Sequence, residues 1–215
     1  MAVLADNLAV SIVLEGLDGV GKSTAILGLA DKLGARVMHT PPDSMLGFRS
    51  HFDDISPENR ERRNAYYEVG NFLAGVEMRN AVSEGKSVVM DRYYASTVAY
   101  RVGRCGVDPL PPAGDIVYEL PPSLPRPKFM VVLTLPEAAR IARRAARTDV
   151  AETPEEVVLR MKPHIAERIN EAYRRLGCIE VALSDADGPD AVVKKILDAT
   201  ILANKSPQQV PVDIQ

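Results

Sequence analysis

A chain of 215 residues is the length of one α/β domain with a sizeable core. Its 46% hydrophobic and 26% charged residues are ordinary for a globular chain, and a net charge of −3 argues against a nucleic-acid-binding face. No apolar run reaches membrane-spanning length, and the N-terminal MAVLADNLAV lacks a basic leader pattern. Cys105 and Cys178 form no disulfide framework, which suits a reducing compartment. The expectation is therefore a cytoplasmic protein, with the mitochondrion as alternative if a transit peptide has been trimmed.

The first predicted element is a buried strand, Val10 to Glu15, followed by a glycine-rich turn and a helix from Lys22 to Leu33 that stops at Gly34. Arg36 to Thr40 reads as a second strand, halted by Pro41 and Pro42, of which Pro42 is a candidate for a cis bond. A short helix or loop from Ser44 to Asp53 carries Arg49. A long helix then begins at Pro57 and runs to about Glu84, bent or broken near Gly70. Lys86 to Asp91 is a third strand, and Tyr94 to Val102 a helix. The proline- and glycine-rich stretch from Gly103 to Arg126 reads as a surface loop with one short helix near Asp115 to Leu120. Lys128 to Leu135 is a fourth strand and Glu137 to Arg147 a helix. One further helix is predicted over Thr153 to Leu176, opening with the capping-box pattern Thr153-x-x-Glu156. Cys178 to Leu183 is a fifth strand, Pro189 to Ala203 the last helix, and residues 204–215 a loose tail. Strands alternating with helices predict a parallel sheet covered on both faces, with ligands at the carboxyl ends of its strands.

The turn after the first strand fits G-x-x-x-x-G-K-[ST]: Gly16, then Leu17, Asp18, Gly19 and Val20, then Gly21, Lys22 and Ser23. Glycines let consecutive N–H groups converge on one anion, and the opening helix adds its own unpaired N–H groups and positive dipole end. Lys22 is placed for the β- and γ-phosphates of a nucleotide, and the Ser23 hydroxyl for Mg2+. Asp91 and Arg92 end the third strand beside this loop, where Asp91 can hold a metal-bound water and Arg92 can grip an acceptor phosphate with its planar fork. Arg140, Arg143 (or Arg144) and Arg147 recur at helical spacing. Alone they would be a solvated face; beside a phosphate loop they form an arginine-rich lid, about 137–152, able to neutralise a transferring phosphoryl group. His39, His51 and His164 are scattered, without metal-ligand spacing. Asp185-Ala-Asp-Gly188 reads as the turn into the last helix. A GTPase-like switch lacks its N-K-x-D, since Asn204-Lys205-Ser206-Pro207 fails the pattern.

Together these residues resemble the thymidylate kinase family of nucleoside monophosphate kinases, over essentially the whole domain. The resemblance rests on Glu15-Gly-Leu-Asp-Gly-Val-Gly-Lys-Ser-Thr24, on Asp91-Arg-Tyr followed by Ser96, Thr97 and Tyr100, and on the arginines of 140–147. Several stretches (EGLDGVGKST, Tyr67-Glu-Val-Gly-Asn71, DRYYASTVAY and LPPAGDIVYELP) are most similar to the mitochondrial UMP/CMP kinase branch. It implies a three-layer P-loop NTPase fold with a five-stranded parallel sheet, a single domain over 1–203, and a homodimer packed through helices.

Carried onto this chain, the resemblance implies that Asp18 reaches the acceptor sugar and that Arg92, helped by Arg49, binds the acceptor phosphate. Tyr67 and Phe72 would stack on the base, Ser96 and Tyr100 would flank the nucleoside, and Arg143 would stack on adenine. Val20, Thr24 and Arg140 complete the ATP site. Lys22, Asp91, Arg92, Arg143 and Arg147 would carry catalysis, with Ser23 and Asp91 as metal residues. Two departures stand out. Gly19 occupies a loop position where some members have arginine, so the transition-state arginine must come from the lid. Asn71 stands where thymidylate kinases usually have a base-reading arginine, and an amide can read thymine, uracil or cytosine. The expected reaction is ATP-dependent phosphorylation of a pyrimidine nucleoside monophosphate, dTMP first and then dUMP, with a UMP/CMP (dUMP/dCMP) kinase of the mitochondrial type as the alternative and a P-loop switch or an inactive kinase-like binding protein as the more distant one.

Overall fold

The computed structural model describes residues 9–52, 59–146 and 153–205. Five strands form one parallel sheet in the order β2-β3-β1-β4-β5. β1 (Ser11–Glu15) lies at its centre, paired with β3 (Val88–Asp91) and β4 (Phe129–Thr134). β2 (Arg36–His39) and β5 (Ile179–Ala182) form the edges. All five residues of β1 are buried, as expected for a strand covered on both faces. Leu14 pairs with Asp91 and Glu15 with Val132, so the chain leaves β1 and β3 side by side at one end of the sheet. Because β1 has β3 on one flank and β4 on the other, the strand order reverses there, and the crevice opens at that end.

α1 (Lys22–Leu33) buries Ala25, Ile26 and Leu29 and ends at Gly34, in the left-handed conformation. A short α2 (Asp43–Leu46) and a 3-10 turn (Arg49–His51) lead towards α3 (Arg60–Ser83). α3 is one helix of 24 residues, and the break expected at Gly70 does not occur. That glycine instead admits a neighbour: a Cβ there would lie 2.8 Å from Pro41 Cβ. The cis peptide bond lies at Thr40–Pro41 rather than at Pro42, and a second one is at Asp108–Pro109.

α4 (Tyr94–Arg104) packs against α7 (Pro163–Arg175), and α5 (Glu137–Ala145) follows β4. The single helix expected over 153–176 is two: α6 (Pro154–Met161) and α7. Pro163 has no N–H to give and forces Lys162 out of the helical region, to φ −132° and ψ 73°. The capping box holds: Glu156 N donates to Thr153 Oγ1 (3.2 Å), and Thr153 N donates to Glu156 Oε2 (2.8 Å). The last helix, α8 (Pro189–Lys205), runs two residues further than expected, and residues 206–215 of the expected tail lie outside the described residues. Among the described residues no helix is long and apolar enough to cross a membrane.

Candidate active site

The loop from Gly16 to Gly21 joins the buried end of β1 to α1. Lys22 is folded over it, its Nζ donating to the carbonyls of Gly16 and Leu17 (both 3.0 Å) and lying 3.5 Å from Asp18 Oδ1. Burial, then the neighbouring Arg92 charge, pull the Lys22 ammonium down to about 8. Asp18 is shared. Its Oδ1 also accepts from Arg92 Nη2 at 2.5 Å. Burial alone would raise the Asp18 carboxyl, but the Arg92 and Lys22 charges outweigh it and hold the group far below the usual carboxylate range.

Arg92 follows β3 in the left-handed region at φ 62°, an unusual place for a residue with a Cβ. That turn aims its guanidinium at the loop. Nη1 donates to Ser96 Oγ (3.1 Å), and the guanidinium carbon lies 5.4 Å from the Tyr100 ring centre. Arg104 faces the same ring at 5.3 Å. Glu155 then spans the wall, pairing with Arg63 (2.7 Å) and Arg104 (2.8 Å).

These groups border a cavity of about 760 Å³ between α3, α4 and α6. Asp18, Arg49, Tyr67, Asp91, Arg92, Ser96 and Tyr100 all line it, as does Thr97. Asp91 Oδ1 and Tyr100 Oη are buried without a hydrogen-bond partner, as ligand-facing groups are before a ligand arrives. Ser23 and Thr24 are exposed on the first turn of α1, and Val20 is buried. An exposed hydroxyl on the first turn of α1 and an orphaned carboxylate oxygen at the end of the neighbouring strand are the hard oxygen donors that Mg2+ takes, so the residues present fit that ion. Among the described residues, no group of three or more His, Cys, Asp or Glu is set to hold a metal by protein ligands alone.

α5 lies directly on the loop. Arg140, 1% exposed, donates Nη1 to the Asp18 carbonyl (3.1 Å) and forks onto Glu137 at 2.9 and 2.6 Å. Arg144 Nε reaches Glu156 Oε1 at 3.0 Å. Gly19 is where helix and loop meet: a Cβ there would sit 2.7 Å from Arg144 Cγ and 3.0 Å from the Arg140 carbonyl, at φ +93°. No arginine would fit at that position against this helix. Arg143 Nη2 donates to the Ser184 carbonyl (3.1 Å) in the turn before α8, which Asp187 closes by accepting from Ser184 N and Lys195 Nζ. Arg147 lies outside the described residues.

Two expected base contacts are corrected. Phe72 is 42% exposed and does not line the cavity, because it projects from a different face of α3 than Tyr67. Asn71 is wholly buried and also absent from the lining; its Nδ2 donates to Thr97 Oγ1 (2.9 Å) while Oδ1 has no partner. Four groups were missed in the sequence. Arg63 and Arg104 join Glu155 only through the tertiary fold. Glu15, at the end of β1, accepts from Tyr93 N (3.0 Å) and from the Ser96 hydroxyl, and burial pushes its carboxyl up to about 7. A carboxylate closing an otherwise apolar strand was the available signal.

The family model for thymidylate kinase matches residues 14–196. Among curated relatives, human mitochondrial UMP-CMP kinase 2 is 33% identical over 174 residues, 78% of this chain and 37% of that protein. The thymidylate kinase of Leptospira borgpetersenii is 29% identical over 196 residues, covering 87% and 91%. The chain thus spans little more than a third of the first relative and nearly all of the second. In fold it is similar to the thymidylate kinase of Candida albicans, with a TM-score of 0.68 at 16% identity over 92% of this chain and 93% of that one. The matched stretch runs from the end of β1 into α8, so it includes the phosphate loop, the cavity and the arginine-bearing helix, and the chain belongs to the thymidylate kinase family.

Proposed function

We propose that the protein is an ATP-dependent nucleoside monophosphate kinase that moves the γ-phosphoryl group of ATP onto the 5′-phosphate of dTMP. The observation that carries this reading is the Lys22–Asp18–Arg92 series, in which one carboxylate stands between a phosphate-loop cation and a cavity cation. A donor site and an acceptor site sharing a border are what in-line transfer between two phosphates requires. The thymidylate kinase model and the thymidylate kinases among the relatives favour dTMP as acceptor.

In this reading Gly16, Gly19, Val20, Gly21, Ser23 and Thr24 cradle the donor phosphates, and Lys22 leaves its carbonyl partners for the β- and γ-oxygens. Arg92, with Arg49, holds the dTMP phosphate so that one of its oxygens attacks the γ-phosphorus while the β–γ bridging oxygen departs with ADP. Tyr67, Ser96 and Tyr100 surround the nucleoside. Arg140 fixes the lid helix to the loop, and Arg143 and Arg147 supply positive charge at the donor side. Ser23 and Asp91 would hold Mg2+, which neutralises charge on the β- and γ-phosphates. No covalent enzyme intermediate is needed.

The test is ADP production from ATP and Mg2+ with dTMP, dUMP, UMP, dCMP, CMP or AMP as acceptor. Strongest turnover with dTMP is expected. Preference for UMP and CMP would instead favour the second reading, which the 33% identity to UMP-CMP kinase 2 supports. No turnover with any acceptor would refute the activity. We further propose a homodimer through α3, whose exposed Val69, Phe72, Leu73 and Val76 recur at helical spacing as one apolar stripe. A cytoplasmic setting accords with the two free cysteines.

A further inference from the structure

One buried group has no part in the chemistry above. Glu15 is 0% exposed at the end of β1, and both of its oxygens are engaged with the segment that carries Arg92. Oε1 accepts from the backbone N–H of Tyr93, the residue immediately after the left-handed Arg92. The Leu14 carbonyl, one residue earlier on β1, accepts from Arg92 N at 2.9 Å. Two adjacent β1 residues therefore clamp the strained turn.

The side-chain arm follows from counting protons. Ser96 Oγ has three neighbours: Glu15 Oε2, Arg92 Nη1 and Tyr173 Oη. An arginine can only donate, and an ionised carboxylate can only accept. The single Ser96 proton must therefore point at Glu15, leaving two lone pairs for Arg92 and for the Tyr173 hydroxyl. The charge on Glu15 sets the polarity of Ser96, and Ser96 in turn steadies one prong of the Arg92 fork while Asp18 takes the other.

We propose that Glu15 is a positioning residue for Arg92, holding its guanidinium aimed at the acceptor phosphate through Ser96 and through the Tyr93 N–H. This rests on the assignment of Arg92 to the acceptor phosphate. Glu15→Gln keeps shape and burial but replaces one acceptor by a donor. Ser96 must then either turn its proton to Tyr173 Oη, which strands the buried Tyr173 proton, or give up the Arg92 prong, and in both cases the arrangement that fixed that prong is disturbed.

The experiment measures both Michaelis constants at about pH 8, where a carboxyl raised to about 7 is mostly ionised. Glu15→Gln is expected to raise KM for dTMP about tenfold while KM for ATP stays within about twofold. Ser96→Ala should give the same selective rise, and adding Glu15→Gln to it should change KM for dTMP by less than about twofold. A merely structural role would lower the melting temperature and move both constants together. An unchanged KM for dTMP in Glu15→Gln, equal changes in both constants, or full additivity with Ser96→Ala overturns the inference. If Glu15→Gln does not fold, Glu15→Asp, which keeps the charge but shortens the reach to Ser96, decides by the same selectivity. A wild-type protein that phosphorylates no pyrimidine monophosphate would sink the functional reading and this inference together. One active on dTMP with an indifferent Glu15→Gln sinks this inference alone.

Discussion

Replacing Arg92 by lysine keeps a cation facing Asp18 but removes the planar fork. In the wild type the two prongs are separately engaged, Nη2 at 2.5 Å from Asp18 and Nη1 at 3.1 Å from Ser96, so the guanidinium plane is fixed before any phosphate arrives. An ammonium is a point donor and cannot hold both partners while offering parallel N–H groups to a phosphate. Losing one charge-assisted hydrogen bond in a buried site removes about 1.5–3 kcal/mol, or about 10- to 150-fold in kcat/KM for dTMP. Lysine still neutralises Asp18 and still occupies φ 62° at no worse strain than arginine, so Tm should move by no more than about 3 °C. Initial rates with dTMP varied at saturating ATP, together with a melting curve, check both statements. A folded Arg92→Lys enzyme with wild-type kcat/KM for dTMP would refute the assignment of that fork to the acceptor phosphate.

Gly19→Ala puts a Cβ at φ +93° and against Arg144 and the Arg140 carbonyl, so Tm should fall by roughly 4 °C and KM for ATP should rise as α5 is displaced; calorimetry and donor kinetics read this, and an unaltered pair would show that the helix does not rest on the loop in solution. Glu15 titrates near 7 when folded against 4.5 for a free carboxyl, so the folded state holds a proton through that window which the unfolded chain has released. Wild-type stability therefore falls as pH rises from about 4.5 to 7, by about 3 kcal/mol, while Glu15→Gln does not titrate there, so denaturation at the two ends should show wild type losing that amount relative to the variant as pH rises. Leu73→Glu places a charge in the middle of the exposed α3 stripe and should turn a dimer into a monomer by sedimentation; a dimer that survives it uses another face.

Much of the site was legible because its chemistry is local. The phosphate loop is fixed by glycines and a lysine within eight consecutive residues between a strand and a helix, and Asp91-Arg92 follows from the end of an apolar strand. What escaped depends on faces and on distant partners. Asn71, four residues beyond Tyr67, shares its side of α3 but is swallowed between that helix and α4, a depth no spacing reports. Phe72, five residues on, is about 140° round the helix from Tyr67, and strict helical geometry would have excluded it from the same pocket. Glu155 lies on the first turn of α6, and only the approach of α3 and α4 gives it Arg63 and Arg104. Pro163 was visible, yet the favourable pattern on both sides masked the boundary that it imposes.

Asp18 is a common counter-ion, its one oxygen facing Lys22 in the phosphate loop and Arg92 at the cavity, the proposed donor and acceptor sides. Whichever phosphate arrives first competes with that carboxylate for its cation and so alters the field that the second phosphate meets. Such coupling is reciprocal by thermodynamic necessity: the factor by which ATP changes the affinity for the acceptor equals the factor by which the acceptor changes the affinity for ATP. On the proposed assignment the two substrates are therefore not bound by independent halves of the molecule, and a substitution at Asp18 is expected to move both affinities at once.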